Sequence, residues 1–355
     1  MTASDDVTVN IRRGVAVSPE VPRSRAPSIR DVARLAGVSH QTVSRVLNEH
    51  PSIRDETRDR VLRAMDTLNY VPNRAARALV TSRSRTIGVL ARTVGEYGPT
   101  SSITAAQNEA RDRGFLVTTT NIASSDPDAI VGGIRHLLDQ HVEGIIVTAS
   151  QVRVFDVLAG MGIGVPYVGL QSAESDPRAV DPAQFEGGRA ATQHLIDLGH
   201  TEILHLAGPH DWIEADARMR GYLSAIVDAD LRTHPPILGD WTADFGFRAG
   251  RELLRMRDFT AVFAANDHMA IGLIHACRDA GVDVPRDISV VGFDDIPLAA
   301  HVWPPLTTIH QDFEAIGRRA VSLLLDGGAA EPSALTVDTH LVARSSSGPV
   351  DPRFR

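Results

Sequence analysis

SIRDVARLAGVSHQTVSRVL, residues 28–47, is the stretch on which the architecture of this chain turns. Val32, Ala33, Leu35 and Ala36 supply an apolar stripe at helical spacing. Ser28 stands at the N-cap, and Asp31 takes the third position in place of the Glu of a capping box. Gly37 ends this helix, because a helix C-terminus favours a residue that tolerates a left-handed backbone. Val38 closes the corner. Ser39 then caps a second helix from His40 to about Leu47, with Val43, Val46 and Leu47 inward and His40, Gln41, Ser44 and Arg45 outward. Such a pair is compatible with a plain helical hairpin that has a solvated polar face. The turn and the outward residue types together favour a helix-turn-helix, whose second helix enters the DNA major groove N-terminal end first. Gln makes a two-point match to adenine and Arg a fork to guanine.

Working outward, residues 48–53 read as a loop and Asp55 opens a third helix to about Leu68, with Val61, Leu62, Met65 and Leu68 as its apolar face. Arg54, Arg58 and Arg63 are read as solvated or phosphate-facing. Pro72 interrupts the pattern, Asn73 can cap a short helix from Arg74 to about Val80, and residues 81–85 form a polar linker. A helix of two turns is marginal alone in water and needs a partner to form. Upstream, residues 1–27 lack periodicity and read as a disordered tail.

The formal net charge of −8 is unevenly placed: residues 1–85 hold 15 Arg against 9 Asp and Glu, and residues 86–355 hold 21 against 35. A basic front on an acidic body suggests that only the front meets a polyanion. All 36 residues counted as Lys and Arg are Arg, which removes P-loop phosphate binding and Schiff-base chemistry from consideration. The one cysteine, Cys277, excludes an internal disulfide and reads as a small buried hydrophobe. No apolar run reaches the length of a membrane span and no hydrophobic leader follows Arg12 and Arg13, so a cytoplasmic protein is expected.

From Thr86 onward apolar runs alternate with amphipathic helices. The expected strands are 86–91, 115–122, 144–150, 166–170, 202–208, 261–267, 289–295, 307–311 and 339–344. This rhythm predicts an α/β core of parallel sheets covered on both faces. One sheet of seven or more strands would satisfy it; two shorter sheets with a cleft between them fit better, because the rhythm breaks near residues 171–185. Ligands in such folds bind beyond the carboxyl ends of the strands, where Asn266, Asp267, Asp294, Asp295 and Gln311 fall.

Seven stretches in one order, DVARLAGVSHQTVSRVLN, NYVPNRAARAL, IGVL, LGHTEILHLAGP, FAANDHMAIG, DISVVGFDD and PPLTTIHQDF, carry a resemblance that runs from Ser28 to Arg344. The chain resembles the lactose/galactose repressor family of transcription regulators. The resemblance implies a helix-turn-helix domain at 28–72, a hinge helix and linker at 73–85, and a two-subdomain periplasmic-binding-protein-like core at 86–345. Crossovers are expected near 182, 311 and 340, and a tail at 346–355. It also implies a homodimer on a near-palindromic DNA operator, with a small effector, most readily a mono- or disaccharide, controlling DNA affinity allosterically. A nucleobase or phosphorylated metabolite is the alternative effector class.

Carried over by motif, the DNA-contacting residues are Ser39, His40, Gln41, Thr42, Ser44, Arg45 and Asn48, with His40, Gln41 and Arg45 at the base-reading places. Asn73, Arg74 and Ala76 follow in the hinge, with Leu79 as a wedge in the minor groove. The effector set implied is Tyr97, Pro99, Gln171, Arg218, Trp241, Asn266, His268, Asp294 and Gln311. An indole covers sugar C–H groups while Arg, Asn and Asp exchange hydrogen bonds with hydroxyls. Gln171 departs from the acid of the lactose-responsive member, so the sugar differs or is held differently. The leucine-heptad tail that makes that member a tetramer is missing, so a dimer is expected. No cofactor or metal is implied; His200 and His205 read as structural. Of the competing classes, an enzyme lacks a nucleophile elbow or zinc motif to build on, although Asp267, Asp294 and Asp295 could be paired as acid and base. A sugar-binding protein without DNA activity leaves residues 28–85 unexplained.

Overall fold

A computed structural model describes residues 25, 27–48, 50–71, 83–92, 97–170, 179–256, 258–327 and 336–352. Residues 1–81 and 82–355 are two compact units. The hinge residues Asn73, Arg74, Ala76 and Leu79, and Gln171, lie outside the described residues.

In the first unit α1 (Ile29–Ala36), α2 (His40–Leu47) and α3 (Asp55–Thr67) enclose a small core of Val32, Ala33, Ala36, Val43, Val46, Val61 and Ala64. The Asp31 carboxylate accepts from the Ser28 backbone N–H at 2.9 Å and from its hydroxyl at 2.6 Å, and these bonds hold it below the usual carboxylate range. Gly37 sits at φ +64°, as the turn requires, and Ser39 Oγ accepts from the Thr42 N–H at 3.0 Å. Two expected core residues point outward instead: Leu35 is 53% and Leu62 is 45% exposed. The buried positions on α3 are 61 and 64, with Met65 and Leu68 packed against them, which is the i, i+3, i+4, i+7 face; Leu62 lies a quarter-turn away.

The second unit contains two lobes. In the first, β1 (Thr86–Arg92), β2 (Leu116–Ile122), β3 (Gly144–Val147), β4 (Tyr167–Leu170) and β5 (Ala179–Val180) form a parallel sheet in the order β2-β1-β3-β4-β5. Strand alternation sends Ile87, Val89 and Ala91 to one face, under α4 (Tyr97–Asp112) and α11 (Phe313–Asp326). Leu90, Ile145 and Val147 go to the other, under α5 (Pro127–Asp139) and α6 (Val152–Met161). In the second lobe the order is β11-β10-β9-β8-β6-β7, from β6 (Ile203–Ala207), β7 (Ile237–Leu238), β8 (Ala261–Ala264), β9 (Ser289–Asp294), β10 (Thr307–Gln311) and the antiparallel β11 (Thr339–Val342). Helices α7 (Gln184–Asp197) and α8 (Ile213–Asp228) cover one face, and α9 (Ala243–Met256) and α10 (Asp267–Asp279) the other. The two-sheet expectation holds.

The chain passes between the lobes at 181–183, at 312, and at 336–338, where Val337 N–H donates to Asp181 O. Most expected strands are trimmed by one or two residues at their ends, and two lose more. β3 ends at Val147 and β8 at Ala264 because Ser150 and Asn266 turn away to line a cleft. The segment after 345 is not a loose tail. Ser346 is fully buried, accepting from Thr307 N–H at 2.8 Å and donating to Val290 O at 2.6 Å. Gly348 O meets His200 Nε2 at 3.1 Å. Cys277 is buried among apolar side chains.

His205 lies fully buried between Tyr222 and Phe263, its Nδ1 3.0 Å from Phe263 O and its Nε2 without a partner. Burial lowers its pKa to about 4. A base whose folded pKa lies below its unfolded 6.5 stabilises fully above pH 6.5 and progressively less as pH falls toward 4. Melting curves between pH 7 and 4 should therefore show an acid-side loss that His205→Leu lacks. The variant is the right comparison because Glu214 and Asp294, both raised, act in the opposite direction over that window. Parallel curves for the two proteins would refute the assignment.

Candidate functional site

Two surfaces collect the expected residues. On the first unit, α2 exposes Ser39, His40, Gln41, Arg45 and Asn48, with Thr42 and Ser44 half-buried beside them. Positions 40, 41, 44, 45 and 48 share one helical face. Val43 and Val46 anchor the opposite face in the core, so the polar row is held on a rigid element while its side chains remain available.

In the second unit a cleft of about 630 Å³, including its open mouth, lies between the lobes. Tyr97, Pro99 and Ser102 line it from the start of α4, Ser150 and Leu170 from the ends of β3 and β4, and Phe313 and Ile316 from α11. Glu214, Arg218, Trp241, Asn266, Asp294, Gln184 and Gln311 complete it from the second lobe. Tyr97, Pro99, Arg218, Trp241, Asn266, Asp294 and Gln311 thus come together. His268 does not line the cleft; it sits half-buried one residue past the start of α10.

The floor of the cleft is a closed hydrogen-bonded ring. Arg218 Nε donates to Gln184 Oε1 at 2.7 Å, Gln184 Nε2 to Gln311 Oε1 at 2.8 Å, and Gln311 Nε2 to Asp294 Oδ1 at 2.7 Å. Asp294 Oδ1 returns to Arg218 Nη2 at 3.4 Å. A further Arg218 nitrogen donates to Ala265 O, and the guanidinium lies over Phe293, 3.9 Å from the ring centre. Burial pushes the Asp294 carboxyl up to about 6, against the pull of Arg218 and Gln311. Gln184 follows the crossover at 181–183, and Gln311 precedes the next one, so the ring spans two points at which the chain changes lobe.

Trp241 forms the wall above, only 6% exposed and edge-on to Trp212 at 5.9 Å. Its backbone φ is +69°, and that of Asp294 is +107°; such conformations persist where the surroundings impose them, often at binding sites. Asn266 fixes the tryptophan: its side-chain oxygen caps α10 at Met269 N–H (2.9 Å), and its Nδ2 donates to Trp241 O at 3.0 Å. Two polar atoms of residues that line the cleft, Trp241 Nε1 and Glu214 Oε2, are buried without a partner.

On one side the lobes touch. Gln151 pairs with Trp212 as an isolated bridge, Ile213 N–H donates to Ser150 O at 3.0 Å, and Gln151 Nε2 donates to Asp211 Oδ2 at 2.6 Å. Arg92 completes this latch by donating to Gln151 Oε1 at 3.1 Å.

The three carboxylates considered as an acid/base set are each engaged. Asp267 accepts from Ile296 N–H (2.8 Å) and Thr308 Oγ1 (2.5 Å). Asp294 belongs to the ring. Asp295 meets Arg344 at 2.6 Å and His310 at 3.0 Å. Glu214, Gln184, Ser150 and Phe313 were not anticipated; only Phe313 carried a signal, lying two residues past Gln311 in a recognised motif.

Residues 28–73 match the bacterial regulatory proteins of the lacI family, and residues 192–347 a periplasmic binding protein-like domain. The chain is 38% identical over 341 residues to the HTH-type transcriptional regulator CelR of Thermobifida fusca, covering 91% of this chain and 99% of that one. Its fold is similar to the lac repressor dimer bound to operator and the anti-inducer ONPF, with a TM-score of 0.82, 32% identity and coverage of 91% and 100%. It is also similar to the CelR–cellobiose complex, with a TM-score of 0.65, 32% identity and coverage of 90% and 100%. A helix-turn-helix unit, a two-lobed core and identity sustained along nearly the whole of both chains lead to one conclusion: the protein belongs to the lacI family of bacterial regulatory proteins.

Proposed function

We propose that this chain is a cytoplasmic, homodimeric transcriptional repressor whose affinity for a near-palindromic operator is set by a neutral saccharide of the cellobiose class bound in the interlobe cleft. The observation that carries the ligand class is the engagement of Arg218. The only cationic side chain lining the cleft among the described residues is already committed to Gln184, Ala265 O and Asp294, with Glu214 close by. A phosphorylated metabolite would meet two carboxylates and no uncommitted cation. A pyranose meets what it needs: an indole wall, amide and carboxylate groups, and hydroxyls at Ser102 and Ser150.

His40, Gln41 and Arg45 read bases in this reading, and Ser39, Thr42, Ser44, Asn48, Asn73, Arg74, Ala76 and Leu79 position the chain on DNA. Because the ring touches both crossovers, a ligand resting on it acts where the lobes turn against each other. Among the described residues, the three carboxylates Asp267, Asp294 and Asp295 that could have formed an acid/base set are each tied to the fold.

Gel shifts on the chain's own upstream DNA, with and without cellobiose, test the reading. A specific shift is expected, with an apparent affinity that changes about 5- to 150-fold on adding sugar. Thermal melting should also rise, by the equivalent of about 2.7 kcal/mol at a hundred times the dissociation constant. No specific shift at low salt, with or without sugar, would defeat the regulator; a thermal response to purines and none to saccharides would defeat the ligand class.

A further inference from the structure

Apart from the crossovers, the lobes are joined on one flank of the cleft by contacts of their own. The turn after β3 belongs to the first lobe and the turn after β6 to the second. They meet as a short antiparallel bridge: Gln151 pairs with Trp212, Ile213 N–H donates to Ser150 O at 3.0 Å, and Val152 N–H donates to Asp211 O at 3.4 Å. Ser150 and Glu214, next to the bridge on either lobe, line the cleft. The bridge therefore closes the flank immediately beside the ligand space.

Gln151 is 1% exposed, and both ends of its amide are engaged. Its oxygen accepts from Arg92 of the same lobe at 3.1 Å, and its nitrogen donates to Asp211 of the other lobe at 2.6 Å. An amide suits this place because it accepts from a guanidinium, which only donates, and donates to a carboxylate, which only accepts. The Arg92 guanidinium also stands 5.8 Å from the centre of the Trp212 ring, within cation–π reach. Trp212 itself is packed in the core of the second lobe, edge-on to Trp241. That half of the contact is thus rooted in the same packing as the cleft wall.

We propose that this contact is a latch that holds this flank shut before any ligand arrives, with Gln151 as its positioning residue, and that it sets how much of the unliganded core is ready to bind. Bonds between parts of a chain that move against each other set an equilibrium between open and closed forms. A ligand that touches both lobes binds the closed form, so its apparent affinity scales with the closed fraction. Hydrogen bonds to charged groups are the strong ones, and Gln151 makes two of them, one into each lobe. The latch acts whatever the ligand class; only the calorimetric arm of its test rests on the saccharide reading.

Gln151→Glu tests this, because it keeps the shape and sets a carboxylate against that of Asp211. In amide hydrogen exchange of the ligand-free full chain, residues 148–154 and 209–215 should exchange at least about tenfold faster than in wild type, the factor that one lost hydrogen bond to a charged group supplies. The sheets of both lobes should keep their protection. Asp211→Asn alone should exchange as wild type does, since its amide oxygen still accepts. Added to Gln151→Glu it reverses donor and acceptor, the introduced amide donating to the introduced carboxylate, and should restore protection. Cellobiose affinity by calorimetry should fall by a similar factor in Gln151→Glu and return in the double variant. Unchanged exchange in Gln151→Glu, a loss that Asp211→Asn does not reverse, a loss spread over the sheets, or faster exchange with cellobiose affinity intact each overturns the latch. If the wild type binds no saccharide, the saccharide reading falls and the exchange rates alone decide the latch.

Discussion

Arg218→Ala is expected to cost about 3–5 kcal/mol of stability, the range for removing one partner of a buried ion pair, and to abolish the thermal response to sugar. The side chain is 5% exposed against 11% for Asp294. Its removal leaves Asp294 with Gln311 alone, Ala265 O without its guanidinium donor, and Gln184 without the proton it accepts. Asp294 is already raised to about 6 by burial; with the cation gone it shifts further up and is neutral at pH 7. Set against the about 5–15 kcal/mol of a typical domain, the loss is large but survivable. Arg218→Lys should not rescue it. A lysine's three donors sit on one nitrogen, so they cannot span acceptors on Gln184, Ala265 and Asp294 that the guanidinium reaches from three separate nitrogens, nor can an ammonium lie flat on Phe293. Urea unfolding gives the first number and sugar-dependent melting the second. A variant within 1 kcal/mol of wild type that still answers to sugar would show that the ring is not the foundation of the cleft.

That ring also marks where sequence reading reached its limit. The helix-turn-helix was legible because its signals are local: Ser28 with Asp31, Gly37 at positive φ, and Ser39 over Thr42 all act within four residues. The lobes were legible through strand alternation, as Ile87 and Val89 against Leu90 show. Arg218, Asp294 and Gln311 could be picked out through motif resemblance, but Gln184, which closes the circuit through a bond to a residue 127 positions away, opens a helix with nothing around it to single it out. Glu214 was hidden for a different reason. An acid in a first turn is ordinary helix chemistry, and only three-dimensional packing shows that one of its oxygens is sealed and unpaired. Leu35 and Leu62 failed in the reverse sense: apolar residues adjacent to a stripe look inward in sequence, and the helix turns them out.

Gly208→Ala, one methyl group added at the end of β6, should weaken sugar binding at least about 100-fold, or roughly 2.7 kcal/mol, while leaving sugar-free operator binding unchanged. A Cβ at this position would overlap Cη2 and Cζ2 of Trp241 and stand 2.8 Å from the Ala215 Cβ. The indole has little room to yield. Trp212 meets it edge-on at 5.9 Å, the Arg218 guanidinium lies 5.5 Å from its centre, and Asn266 ties its backbone oxygen. Overpacking of this kind typically costs about 1–3 kcal/mol in stability, but the expected effect on binding is larger because the displaced ring is the wall proposed for the sugar. Trp241→Ala is the companion variant: it removes the wall without the clash, so it should lose sugar affinity to a similar degree. Calorimetry with cellobiose and gel shifts without it separate the two effects. If Gly208→Ala binds sugar within twofold of wild type, the indole is not the platform. If it loses affinity while Trp241→Ala does not, the damage lies in the packing of position 208 against Ala215 on α8 rather than in the ring face.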